Sequence, residues 1–224
     1  MHSEIKRVAV MWRANPSAPD VPTHYQQRLL PVFEQLAVAG FSPEPAPYLD
    51  ENVGKAREQL LGCDAVLVWI NPIADGATRD RVDALLREVA QQSVWVSAHP
   101  DVIDKLGVKR VLFTARELSC GSATHLYEAL EDFDARFAPS GARVLKPNRG
   151  NDGRGVLRVA PAAGAFDVQR ASDDVSERLT GKELRALLAP AFADGGVLVD
   201  QEFHAVTEAG MVRCYLSGSA VIGF

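Results

Sequence analysis

Ala142-Arg143-Val144-Leu145-Lys146-Pro147-Asn148-Arg149-Gly150-Asn151-Asp152-Gly153-Arg154-Gly155-Val156 runs from a short apolar strand through a lysine into a loop with three glycines. The chain then returns as a second strand over 156–159. Glycines let backbone N–H groups close on an anion and permit the positive φ such a loop needs. A lysine at the end of the strand is a compact point charge suited to a phosphate. Neither common nucleotide fingerprint fits: GxGxxG is absent, and Walker A needs Gly-Lys-Ser/Thr entering a helix. The residues describe a strand-turn-strand clamp, or equally an ordinary Gly/Asn hairpin carrying surface arginines.

Upstream, Asp104-Lys105-Leu106-Gly107-Val108-Lys109 sets two lysines four apart, one turn of helix, which a solvated helix face also produces. Downstream, Val197-Leu198-Val199-Asp200-Gln201-Glu202-Phe203-His204 is an apolar strand running into polar residues and an aromatic. Glu208 and Arg213 flank the start of the next apolar stretch, 211–217. Ser119-Cys120-Gly121-Ser122 has the look of a nucleophile loop, but no His or acid is placed beside it by sequence, and a plain buried thiol explains it as well.

Before residue 98 strand and helix signals alternate. Strands are expected at 5–12, 64–70 and 93–97, with helices at 25–39, 53–61 and 78–91. Residues 43–48 carry three prolines and can only form an extended or edge segment. This is the pattern of a small doubly wound parallel sheet. From 98 onward the texture becomes α+β. A helix is expected over 101–113 with a kink near Gly107, an amphipathic helix over 123–137, strands at 143–146 and 156–159, and a connector at 160–165. A helix over 181–189 and strand-like pieces at 197–203, 211–217 and 220–224 complete the chain. Two domains follow, 1–97 and 98–224. The loop from Asn71 to Gly76 lies after the most apolar strand, where open α/β sheets bind ligands, and could form the wall of an acceptor pocket or a plain βα turn.

Composition sets the outer limits. The 224 residues are 47% hydrophobic and 24% charged, with 24 Lys+Arg against 29 Asp+Glu. A chain of that size buries a core without disulfides or metal. Mild acidity argues against a dedicated nucleic-acid or membrane-surface binder, though not against a local basic site. The longest apolar run, Ala65 to Ile70, is far short of the roughly 20 residues a bilayer requires. The apolar run after Lys6-Arg7 is too short for a signal-peptide core. Cys63, Cys120 and Cys214 are scattered with no CxxC pair, which suits a reducing cytoplasm and argues against a zinc cluster.

Taken in order, these motifs resemble the ATP-grasp superfamily, over roughly residues 98–224. The likeness is closest to a little-characterised bacterial group sharing the Ser97-Ala98-His99-Pro100-Asp101 stretch and the 143–156 loop. The resemblance implies an α/β N-terminal domain followed by a partial α+β ATP-grasp domain. It implies ATP as cofactor, and a parent activity in which a carboxylate is activated as an acyl phosphate for attack by an amine or thiol. Carried over, Lys105 matches the first ATP lysine, with Lys109 its rival, and Lys146 the lysine on the α/β-phosphates. Asn151, Gly153, Arg154 and Gly155 form the flap. Gln201, Glu202 and His204 hold the base edge, with Phe203 toward the core. Glu208 holds the ribose, and Arg213 stabilises the transferring phosphoryl group.

Three departures stand beside the likeness. Asp152 puts a negative charge in the flap, and Met211 stands where the family has an acid. The acidic pair and Asn that hold magnesium in the family follow the arginine strand, and here the sequence ends at Phe224. Mg²⁺ is therefore expected only if a further C-terminal part supplies ligands, and the chain reads as a fragment or shortened member. The rival to a ligase is a non-catalytic scaffold that keeps the fold. The expected partners are a nucleotide and a carboxylate, with neither nucleic acid nor membrane. The apolar edge at 220–224 leaves dimerisation with a second copy open.

Overall fold

Val8, Ala9, Val10, Met11 and Trp12 are all buried, so the opening strand is covered on both faces and must lie inside a sheet. The computed structural model of the chain describes residues 6–17, 24–71, 78–150, 153–171, 175–205, 212, 214–217 and 219–224. The chain divides into two compact units, one of Met1–Thr114 with Pro147–Arg154 and the other of Ala115–Lys146 with Gly155–Phe224.

In the first unit β1 (Arg7–Arg13) pairs in parallel with β2 (Ser42–Tyr48) and with β3 (Ala65–Trp69), and β3 pairs in parallel with β4 (Trp95–Ser97). The order is β2-β1-β3-β4. The proline-rich β2 takes the edge, because a proline lacks the N–H that a second neighbour would need. The helices α1 (His24–Val38), α2 (Val53–Leu61) and α3 (Asp80–Gln91) connect successive strands. Val10 and Trp12 face Leu29, Val32, Phe33 and Leu36 of α1, while Ala9 and Met11 cluster with Leu60 of α2 and Val82, Leu86 and Val89 of α3. Alternate residues of one strand thus meet helices on opposite sides, which makes the sheet doubly wound as expected. The unit continues through a helical turn, α4 (Pro100–Val102), a π-helical turn at Ile103–Gly107, and a short helix, α5 (Arg110–Thr114). His99 caps that run, its Nδ1 accepting from the Asp101 N–H.

The second unit is a six-stranded sheet in the order β5-β10-β6-β7-β8-β9. Its strands are β5 (Thr124–Tyr127), β6 (Arg143–Pro147), β7 (Leu157–Ala162), β8 (Ala165–Arg170), β9 (Ser176–Leu179) and β10 (Leu198–Glu202). The β6-β7, β7-β8 and β8-β9 pairs are antiparallel, as is β10-β5. Two helices, α6 (Leu130–Arg136) and α7 (Gly181–Leu188), cover one face. Leu145, Leu157, Val159, Val168 and Leu198 of the sheet meet Phe133, Leu184 and Leu188 there. The pleat sends Val144, Lys146, Arg158, Asp167, Gln169, Ser176 and Arg178 to the other, polar face. A separate hairpin, β11 (Tyr215–Ser217) with β12 (Ala220–Gly223), follows.

Two expectations are corrected. The helix expected over 123–137 is a strand followed by a helix. The helical spacing of Leu130, Phe133 and Phe137 carried that reading too far upstream. Residues 124–127 instead pair with β10, Tyr127 opposite Leu198. The connector expected over 160–165 is the tip of the β7-β8 hairpin, and β8 and β9 are strands the sequence pattern did not announce. Among the described residues no helix is long and apolar enough to cross a membrane.

Candidate functional site

Lys146 leaves β6 on the polar face of the second unit's sheet. Its Nζ donates to Oε1 of Gln201 at 2.7 Å, and Nε2 of Gln201 donates to Oγ of Ser122 at 2.7 Å. Lys146 is half-buried, and that burial lowers its pKa. No described carboxylate pairs with it, so a partly desolvated ammonium rests on a neutral amide oxygen. An added negative charge beside a cation in this state would offset its desolvation.

Ser122 is the residue of this chain that sequence reasoning did not find. Its placement depends on Gly121, where a β-carbon would run into the carbonyl oxygens of Ala115 and Arg116. Only a glycine lets the backbone turn there and enter β5. Gly121-Ser122 was visible in the sequence only as part of the cysteine loop, and Cys120 itself is exposed.

Gln201 and Glu202 end β10. The N–H of Glu202 donates to the Ala123 carbonyl at 3.0 Å and that of Phe203 to the Ala142 carbonyl at 3.1 Å. Glu202 and His204 are exposed. Phe203 stands outside the core cluster, contrary to expectation. It is half-buried, with the Arg158 guanidinium carbon 4.6 Å from its ring centroid. On the core face, Asp200 accepts from Arg143 Nε at 2.6 Å and from the Tyr127 hydroxyl at 3.0 Å. These three residues, with His125, Arg136 and Glu202, line a cavity of about 280 Å³.

The first unit holds its own basic group. Lys109 donates from Nζ to the Gly150 carbonyl at 3.2 Å. Its backbone N–H donates to the Asn148 carbonyl, and that of Arg110 to Asn148 Oδ1 at 2.8 Å. Asp104 takes Arg87 at 2.9 Å and also pairs with Arg149. The base of the glycine loop is thereby tied to the 104–110 segment. Of the two rival lysines, Lys109 is the one held against the loop, and Lys105 is exposed. Arg154 is exposed as well. Gly153 and Gly155 have φ of +72° and +70°, a backbone conformation that side chains beyond glycine rarely adopt. Asn151, Asp152, Glu208, Met211 and Arg213, and the 72–76 part of the Asn71–Gly76 loop, lie outside the described residues. Among the described residues no grouping of three or more His, Cys, Asp and Glu could hold a metal ion. The carboxylate of Asp104 is already taken by two guanidinium groups. The described residues therefore do not fit magnesium, and no step is assigned to it.

No protein-family model matches the chain, and no curated protein matches it. Solved structures do. A RimK domain ATP-grasp protein from Sphaerobacter thermophilus superposes with a TM-score of 0.50 at 15% identity, over 90% of this chain and 65% of that one. The D-alanine–D-alanine ligase of Bacillus anthracis, solved with ATP, superposes with a TM-score of 0.51 at 12% identity, over 90% of this chain and 60% of the ligase. This chain therefore spans less than two thirds of the length of either. Over the portion it spans, the chain, with its parallel four-stranded sheet and its antiparallel sheet, has the ATP-grasp fold.

Proposed function

We propose that this chain binds ATP on the polar face of its six-stranded sheet, and that its parent activity is ATP-dependent joining of a carboxylate to an amine or thiol through an acyl phosphate. The observation that carries the reading is Lys146, half-buried and paired with an amide rather than an acid at the strand end before the glycine loop. The likeness to a ligase solved with ATP supports it.

In the second unit, Lys146 would contact phosphate oxygens, with Gly155 opening the returning strand. Gln201, Glu202 and His204 would hold the base edge. The N–H groups of Glu202 and Phe203 are already engaged with the Ala123 and Ala142 carbonyls, so other groups of this segment would meet that edge. In the first unit, Lys109, Lys105, Gly153 and Arg154 are proposed as anion contacts in their own right. Asn151, Glu208 and Arg213 keep the flap, ribose and phosphoryl roles that the resemblance implies. ATP supplies the phosphoryl group that activates the carboxylate.

The test is calorimetric titration of the chain with ATP beside Lys146→Ala. Binding weakened about tenfold or more by the substitution is the expected result, since one charge-assisted contact is removed. Equal binding by the two proteins, or no saturable binding by the native chain, would remove the reading.

A further inference from the structure

Arg158 stands on the polar face of the six-stranded sheet without an ion pair to any described carboxylate. It lies opposite Val144 of β6 and Gln169 of β8, facing away from the core. Its guanidinium is stacked on the Phe203 ring, and its Nε is buried without a hydrogen-bond partner. Beside it a cavity of about 270 Å³ opens over β7, β8 and β9, lined by Arg158, Asp167, Gln169, Ser176, Glu177 and Arg178.

The other charges of that lining are already matched. Arg178 donates to both oxygens of Asp167, at 2.8 and 3.1 Å, and Glu177 pairs with Arg170. Asp167, held by Arg178, acts on Arg158 only at longer range, and among the described residues no carboxylate hydrogen-bonds to the Arg158 guanidinium. A partly desolvated guanidinium whose buried Nε has no hydrogen-bond acceptor is costly, and such an atom calls for one. The stack on Phe203 holds the guanidinium in place before any ligand arrives. Its planar donors match a carboxylate through two parallel hydrogen bonds. The volume lies at the lower end of ligand cavities, about 300 Å³, which suits a small acid better than a nucleotide.

We propose that this cavity is a binding site for a small organic carboxylate, with Arg158 as its fork and Phe203 as the platform that holds the fork. The site stands whether or not Lys146 binds a nucleotide, because none of its residues takes part in the Lys146–Gln201–Ser122 chain.

The probe is NMR of arginine Nε–Hε groups in the full chain, the Arg158 signal being assigned by its loss in Arg158→Lys. Acetate and L-glutamate are titrated separately, then inorganic phosphate, then ATP. The expected result is a saturable shift of the Arg158 signal with acetate and glutamate. Calorimetric affinity for the same acids should fall about tenfold in Arg158→Gln and partly recover in Arg158→Lys. Phe203→Leu should weaken binding while leaving the charge in place. No saturable shift in the native chain, or a shift with phosphate alone, overturns the proposal. Displacement of bound acetate by ATP also overturns it, since Arg158 would then belong to the nucleotide site. The native-chain titration remains decisive if the Arg158→Gln protein does not fold.

Discussion

Lys146 and Gln201 meet at 2.7 Å, ammonium to amide oxygen, in a pairing that leaves the lysine's charge unneutralised. Burial holds Lys146 below the usual lysine range, whose unperturbed value is about 10.4. Between its lowered value and the ordinary one, the unfolded chain binds more protons at this position than the native chain. Stability contributed here therefore rises with pH across that window. The Lys146→Met protein should lose this alkaline rise, and Gln201→Glu should flatten it by supplying a carboxylate that lifts the lysine's pKa. Urea unfolding midpoints taken across the alkaline range check it; a native-like slope in Lys146→Met contradicts the assignment.

Asp200 sits at 2% exposure under two donors, Arg143 and Tyr127. Burial first, and then the Asp200 carboxylate, push the Tyr127 hydroxyl above its ordinary range, so it stays protonated and donates. Asp200→Ala should cost about 3–5 kcal/mol, because it leaves a partly buried guanidinium without its carboxylate, its Nε without an acceptor, and the Tyr127 phenol unpaired. The double variant Arg143→Leu/Asp200→Leu should lose less than Asp200→Ala alone. Denaturant unfolding of the three proteins gives the comparison.

Helix α7 starts with a capping box, in which Thr180 Oγ1 accepts from the Glu183 N–H and Glu183 accepts from the Thr180 N–H. Thr180→Ala should cost about 1 kcal/mol at neutral pH. The Thr180 backbone N–H, and then its hydroxyl, hold the Glu183 carboxyl below its usual range. That part of the stabilisation is present above the ordinary glutamate pKa and is lost as pH falls through the lowered one. Thermal melts of Thr180→Ala and native protein should therefore draw closer in acid without meeting, because the bond from the Glu183 N–H to Thr180 Oγ1 does not titrate.

Gly121→Ala forces a β-carbon against two backbone carbonyls. The expected loss is roughly 1–3 kcal/mol, as for other overpacked positions. The displaced segment should carry Ser122 away from Gln201 and free the amide that orients Lys146. A Lys146 ammonium NMR signal unchanged in Gly121→Ala would show that Ser122 does not act through Gln201.

Much of the first unit was legible in the sequence because its signals are local. Apolar alternation around Val8–Trp12, helical spacing in α1 and α3, and prolines confining β2 to an edge each need only neighbouring residues. The second unit was less so. Residues 124–127 read as helix because their partner strand lies far along the chain, Tyr127 opposite Leu198. The same distance hid Ser122, whose partner Gln201 is 79 positions away. Lys146 and the glycine loop were legible, since a strand, a lysine and three glycines are contiguous. Arg158 was not, because a lone arginine in a strand carries no mark of which charges around it are already paired.

The sequence by itself determined the doubly wound first unit, the lysine strand with its glycine loop, and the polar residues that end β10, all features of local period and residue type. Only the tertiary structure decided that Lys146 rests on an amide fixed by Ser122, that Lys109 rather than Lys105 holds the loop, and that the Arg158 Nε is left without an acceptor. The reason is physical: whether a charge is neutralised depends on which side chains come within hydrogen-bonding distance, and that is set by strand register and pleat across long stretches of chain.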